Sequence, residues 1–496
     1  MQKPSSTTHK PPDPTQKSLK PPSSTWKDVI PSIRLSKPVQ SITSRLSTAS
    51  SSSSSSSSDS SIMSRTSTID YGHETFPTFS KKILELLHHI GTLNLPSIRI
   101  TPKTAIDITR MPGGNSYRII GITLTTPTPT PTKKTAKEDQ KDHYILRLPR
   151  HETTPTTNLL RAVSTMYHLE KHTPIRTPIT VVYDPDGGKD TSDCPLSLPY
   201  ILQTRLPGKP LAEALPEMSF PQRCAFVRQL VNLLTDMDKT QFPRAGVLVP
   251  AAVAAERKGM VVVDSFDIPG VADEALRSRI QAYPEQTTRD MLLTQLETWR
   301  LFWQHRETSG GEAELAMGYI DRLIETTREM ERYGCCLGDN VNVLYHPALT
   351  PQKIFVQRRG SSSSGEWVVS GVLGWDETVS VPRIMAHRAP SWLWRSGAEE
   401  GWQMADERHD CAIPASAESA EVKKLFEIEA ESAIPRFLEY AYRPRYRMVR
   451  RLCWFAVWGV RFEEDVLGVA AFLREWDEMK KDPNLGWAVK GVWGEG

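Results

Sequence analysis

The stretch LYHPALTPQKIFV, Leu344 to Val356, sets apolar residues at Leu344, Leu349, Ile354 and Val356 around a histidine, two prolines and a lysine. Its last four residues open the run KIFVQRR, which GSSSSG, Gly360 to Gly365, joins to EWVVSGVLGW. Two β-rich runs around a Gly-Ser turn predict a hairpin. Toward the N-terminus lie long patterns with an apolar residue at every third or fourth place: Pro221 to Asp238, Thr287 to Glu307 and Ala313 to Tyr333. The same period returns at Glu421 to Tyr440 and Tyr446 to Met479, so the hairpin is expected inside a mainly helical region.

Upstream of Gly208 the pattern changes. FSKKILELLHHIGTL puts Ile83, Leu84, Leu86, Leu87 and Ile90 on one helical stripe. YRIIGITL (Tyr117 to Leu124) and HYILRLP (His143 to Pro149) read as strands around a Thr-Pro and Lys-rich loop. A helix from about Thr157 to Lys171 follows, then VVYD and LPYILQTRL. This is a small α+β lobe with an antiparallel sheet. The expected division is a Ser/Thr/Pro-rich tail over 1–70, a sheet lobe over 71–207 and a helical lobe over 208–496. The tail, with serine unbroken from Ser50 to Ser58, carries too little apolar surface to offset the entropy of ordering and is expected to be disordered.

The chain has 496 residues and a formal charge of +3, with its Lys and Arg dispersed, which argues against nucleic acid as the main partner. Six cysteines show no C-x-x-C pair, as expected in a reducing compartment. The adjacent Cys335 and Cys336 read as buried thiols, with a strained vicinal disulfide as the alternative. No run approaches the roughly 20 apolar residues of a membrane span. A cytoplasmic protein is expected; the alternative is organelle targeting through the basic, Ser-rich N-terminus.

The Leu344–Val356 stretch resembles the signature L-x-H-x-D-L-x-P-x-N-I-x-V of the aminoglycoside phosphotransferases and the related choline and homoserine kinases. Leu344, His346, Leu349, Pro351, Ile354 and Val356 match it. Downstream, SGVLGWDETVSVPRIMAHRAPSWLW resembles that family's G-V-L-D-W-D-x-A segment at Gly371, Val372, Leu373, Trp375 and Asp376. Further pieces, YGHETF, PGGNSYRI, YILRLPR and YILQTRLPGKPL, extend the resemblance over about six-sevenths of the chain. The resemblance implies a bilobal, protein-kinase-like fold that binds ATP and transfers its γ-phosphoryl group to a hydroxyl.

It also implies that the reacting positions have changed. The family's catalytic Asp falls on Ala348, which cannot orient or deprotonate an acceptor. Its metal-binding Asn falls on Lys353, which has only donors, and its metal-binding Asp on Gly374. On the sheet lobe, Arg147 takes the phosphate-holding basic place and Ala162 the place of that residue's helical Glu partner, with Glu170 or Glu152 as substitutes in another register. Gly113, Gly114 and Asn115 fit the phosphate-covering turn. Lys353 is a further candidate for holding a nucleotide phosphate, and Asp376 is an outside candidate for recruiting Mg²⁺.

Each position also has a plainer reading. His346 fits a packed structural residue better than a general base. Trp375, Trp392 and Trp394 fit core packing better than a ligand pocket. YRPRYRMVRR, Tyr442 to Arg451, fits a solvated helix face better than an anion-binding patch. The leading expectation is a catalytically inactive phosphotransferase-like protein that binds a nucleotide or metabolite or scaffolds a protein partner through its tail. The alternatives are an atypical small-molecule kinase and a decayed paralogue.

Overall fold

The computed structural model describes residues 74–93, 95–112, 116–127, 140–150, 156–187, 195–251, 261–266, 287–305, 311–335, 340–360, 365–395 and 414–481. The tail over 1–70, the turn residues Gly113, Gly114 and Asn115, Glu152 and Cys336 lie outside them. The expected α+β architecture of antiparallel sheets and helices is observed.

The sheet lobe opens with α1 (Phe76–Thr92), followed by β1 (Ala105–Met111), β2 (Tyr117–Thr126) and β3 (Gln140–Pro149). Next come α2 (Thr156–His172), β4 (Thr180–Asp184) and β5 (Tyr200–Thr204). These strands make one sheet in the order β1-β2-β3-β5-β4, antiparallel throughout. Strand alternation covers both faces. Tyr200 and Leu202 pack with Phe79, Ile83, Leu86, Leu87 and Ile90 of α1 on one face. Ile201, between them, meets Leu159, Ala162 and Val163 of α2 on the other. Farther along α2, Met166 and Leu169 join a helical-lobe core instead. That helix therefore belongs to both lobes.

The helical lobe begins with β6 (Lys209–Pro210) and α3 (Phe220–Lys239), whose entry is set by Pro221 and by Ser219 N–H donating to Gln222 Oε1 at 2.9 Å. Then follow β7 (Gln241–Phe242), β8 (Gly246–Pro250), β9 (Val261–Asp264), α4 (Thr288–His305) and α5 (Glu312–Arg332). The chain continues through β10 (Asn342–Tyr345), β11 (Ile354–Arg359), β12 (Glu366–Val372) and β13 (Val379–Pro382). The expected hairpin is β11–β12, extended by β6 on the β11 side. A second sheet, ordered β7-β10-β13-β8-β9, was not legible, because its short strands pair across long sequence gaps.

Two expected helices are each divided in two. The pattern over 421–440 becomes α6 (Ala417–Ala433) and α7 (Phe437–Tyr442), because Pro435 cannot donate within a helix and Arg436 turns to φ 59°. The pattern over 446–479 becomes α8 (Pro444–Trp458) and α9 (Glu463–Met479), because Gly459 adopts φ 79° against the face of Trp299. Beyond the break, Asp465 accepts the backbone N–H groups of Arg461 and Phe462 and starts α9. Among the described residues no helix is long and apolar enough to cross a membrane.

A Cβ at Gly459 would lie 2.5 Å from the Trp299 ring, and Trp299 is fully buried. Gly459→Ala is therefore expected to destabilise the fold by about 2 kcal/mol or more, combining left-handed strain with overpacking. Denaturant unfolding measures this, and Gly468→Ala, whose Cβ would meet Phe455 at an ordinary 3.5 Å, is the matched control.

Candidate functional site

Strand β10 delivers His346 into the interior at 2% exposure. Its Nε2–H donates to the Leu373 carbonyl at 2.9 Å, while Nδ1 accepts the Ala348 N–H at 3.2 Å. A carbonyl only accepts and an amide N–H only donates, so the ring is neutral with its proton on Nε2. Burial pushes its pKa down to about 4, and the nearby Lys353 charge acts in the same direction. The ring also stands edge-on to Trp375 at 5.0 Å, whose Nε1–H donates to Val372 O at 2.8 Å.

These contacts join the loop after β10 to the segment after β12. Backbone bonds add to the clamp: Thr350 N–H to Ala348 O at 2.8 Å, Lys353 N–H to Thr350 O at 2.9 Å and Leu373 N–H to Lys353 O at 2.9 Å. Lys353 and Gly374 thereby become neighbours. A Cβ on Gly374 would lie 3.4 Å from Lys353 Cδ and Cε and 3.5 Å from His346 Nε2. Gly374 itself has φ 90°, where a side chain is strained. The lysine stem thus lies over the bare glycine backbone. Among the described residues, the Lys353 ammonium makes no hydrogen bond or ion pair. Ala348 is half-buried in the same clamped loop, with Pro347 and Leu349 on either side.

Asp376 is engaged from the other lobe. Arg147 Nη2, on β3, donates to both Asp376 oxygens, at 2.7 and 2.8 Å, bridging residues far apart in sequence. The guanidinium lies 4.1 Å from the centre of the Tyr117 ring, because β2–β3 register sets Ile119 opposite Arg147 and places Tyr117 diagonally on the same face. Burial alone disfavours the Arg147 charge, but the Asp376 carboxylate outweighs it and holds the pKa above its ordinary value. The Tyr117 phenol is pushed well above its usual range by burial and then by Asp376. Among the described residues no cluster of three His, Cys, Asp or Glu side chains is placed to hold a metal ion.

Ala162 is fully buried among Leu159, Val163 and Ile201, so α2 offers no acid at that position. Glu170 is exposed near the end of α2 and hydrogen-bonds Lys171. Arg147 has found its carboxylate on the opposite lobe instead. The tryptophans Trp375, Trp392 and Trp394 are all buried in one helical-lobe core.

The Arg-rich run is solvated only at its start, where Arg443 is exposed, and its end is buried. Arg450 and Arg451 are 4% and 7% exposed. Arg450 donates to the carbonyls of His387, Tyr440 and Ala441, the last two at the end of α7, and Arg451 pairs with Glu475. Buried carbonyls at a helix end need donors, and this guanidinium supplies them. Cys335 is buried, which pushes its thiol pKa up to about 11 and leaves it unreactive.

Sequence reasoning missed a buried network around Asp238. Its Oδ1 accepts from Arg383 Nε at 2.7 Å and His387 Nε2 at 2.8 Å, and its Oδ2 from Arg383 Nη2 at 3.2 Å. The signal was present, since Asp238 continues the apolar stripe of Leu230, Leu234 and Met237 on α3. A carboxylate on a core stripe requires a buried partner.

No family model and no curated protein matches the chain. Solved structures do. An ADP-bound aminoglycoside phosphotransferase, APH(2'')-Ib, aligns at 10% identity over 80% of this chain and 98% of its own, with a TM-score of 0.37. An ethanolamine kinase from Plasmodium vivax aligns at 10% identity over 79% and 86%, with a TM-score of 0.35. A microcompartment-associated aminopropanol kinase aligns at 13% identity over 81% and 98%, with a TM-score of 0.34. These structural neighbours are aminoglycoside phosphotransferases and amino-alcohol kinases.

The His346 clamp has a pH signature. Its folded pKa lies near 4 against an ordinary value of 6.5, so between those values the unfolded chain binds the proton more readily. Stability held by the neutral ring is complete above pH 6.5 and is lost as pH falls toward 4, by about 3 kcal/mol. Unfolding free energies of the wild type and His346→Gln between pH 7 and 4 are expected to converge over that window.

Proposed function

We propose that this chain is a phosphotransferase-like protein of the aminoglycoside phosphotransferase and choline kinase type, and that it binds a phosphate-bearing ligand, with ATP or ADP as the first candidate, without transferring phosphoryl groups. The observation that carries this reading is the packing of Lys353 over Gly374. The resemblance assigns these positions to the two metal ligands, and here they bring an ammonium against a bare backbone. A divalent cation would meet a positive charge and lack both carboxylate and amide. Ala348, in the place of the acceptor-activating Asp, has no group to take a proton.

Phosphoryl transfer depends almost wholly on positioning and electrostatic stabilisation, so losing base and metal together removes most of the rate enhancement. Binding is a different matter. The half-buried Lys353 supports a phosphate by direct charge. Asp376 fits poorly as a replacement metal ligand, because both of its oxygens already accept from Arg147.

Thermal unfolding with ATP and ADP, each with and without Mg²⁺, tests the proposal. The expected result is the same stabilisation with either buffer, a few degrees at saturating nucleotide, and about a tenfold weaker affinity for Lys353→Gln. Stabilisation that requires Mg²⁺, or ATP turnover abolished by Asp376→Asn, would overturn it.

A further inference from the structure

A cavity of about 70 Å³ lies beside the clamped loop on the helical-lobe side, between α3 and the Ala386–Trp392 segment. Its walls are largely apolar and include Leu234 and Met237 of α3, Leu349 of the loop and Phe437 of α7. Leu234 and Leu349 are partly exposed while Met237 and Phe437 are buried, so the two leucines form the rim and the others the floor. Pro347 and Leu349 both contribute, which puts the cavity next to Ala348.

Charge decides what such a cavity admits. Asp238 is the one acid in the lining, and both of its oxygens accept hydrogen bonds from buried donors, with Arg383 supplying a full compensating charge. His387, also in the lining, donates Nε2–H to Asp238, and His346 is neutral by its hydrogen-bonding geometry. A cation entering here would shed water without meeting an uncompensated carboxylate. An uncharged aliphatic group loses nothing and gains the contacts of the floor.

Volume sets the size. A dry cavity of about 150 Å³ holds benzene, so one of this size seats about three heavy atoms, with room for a longer chain to emerge at the rim. We infer that this cavity is a binding site for a small uncharged aliphatic ligand, or for the aliphatic end of a larger one, and that it rejects ammonium groups of the same size.

Butan-1-ol and butylammonium have the same chain and differ in charge, which makes them the probes. Ligand-observed saturation-transfer NMR on the full chain at neutral pH is expected to detect butan-1-ol, with butylammonium at least tenfold weaker. Leu234→Trp and, from the opposite rim, Leu349→Trp are each expected to abolish the butan-1-ol signal. The second variant keeps the test valid if the first fails to fold, with far-ultraviolet circular dichroism verifying both. Butylammonium binding as well as the alcohol, a butan-1-ol signal that survives in the folded tryptophan variants, or no butan-1-ol signal from the wild type would each overturn the inference. No nucleotide is present in this measurement, so its failure is distinguishable from failure of the nucleotide-binding proposal.

Discussion

The hydrogen bond from His346 to the Leu373 carbonyl is the constraint from which the rest of the site follows. It ties the loop after β10 to the segment after β12, and through them the second sheet to the β11–β12 hairpin. With the ring neutral and edge-on to Trp375, neither segment moves without exposing a buried polar group. Lys353 and Gly374 are then brought together by backbone geometry. Their meeting owes nothing to attraction between them.

A second contact, from Arg147 to Asp376, works at a larger scale by joining the sheet lobe to the helical lobe. It consumes the carboxylate nearest the bare Gly374 and gives a buried arginine the partner that α2 withholds at Ala162. Side chains at 10% and 19% exposure make it mostly dry. Such a pair is a weak source of net stability but a strong source of geometric specificity, because each partner alone would be an uncompensated buried charge. The same contact lays the guanidinium on Tyr117, so the β2–β3 register and the interlobe geometry reinforce one another.

Much of this architecture was legible because it is local. The β11–β12 hairpin announces itself by alternation and a Gly-Ser turn, and α3, α4 and α5 by helical period. The breaks at Arg436 and Gly459 were passed over because apolar period continues through both, although Pro435 and Gly459 themselves stand in the sequence as breaker residues. Strands β7 to β9 were hidden for a related reason, as each is short and finds its partner far along the chain. Asp376 stood out in sequence as an unused acid, yet its partner Arg147 lies on another lobe, and no spacing rule connects them. Arg450 was misjudged because its acceptors, the carbonyls of His387, Tyr440 and Ala441, come from segments that only the fold packs around α8.

In the proposed function the Lys353 charge stands where the resemblance would put a divalent metal. Electron paramagnetic resonance of Mn²⁺ in the presence of this protein and ADP addresses it without relying on turnover. The bound Mn²⁺–ADP signal is expected to be the same for wild type and Asp376→Asn, because the ion's ligands then come from ADP and water and none from the protein. A protein-immobilised Mn²⁺ signal that appears with wild type and disappears with Asp376→Asn would contradict it.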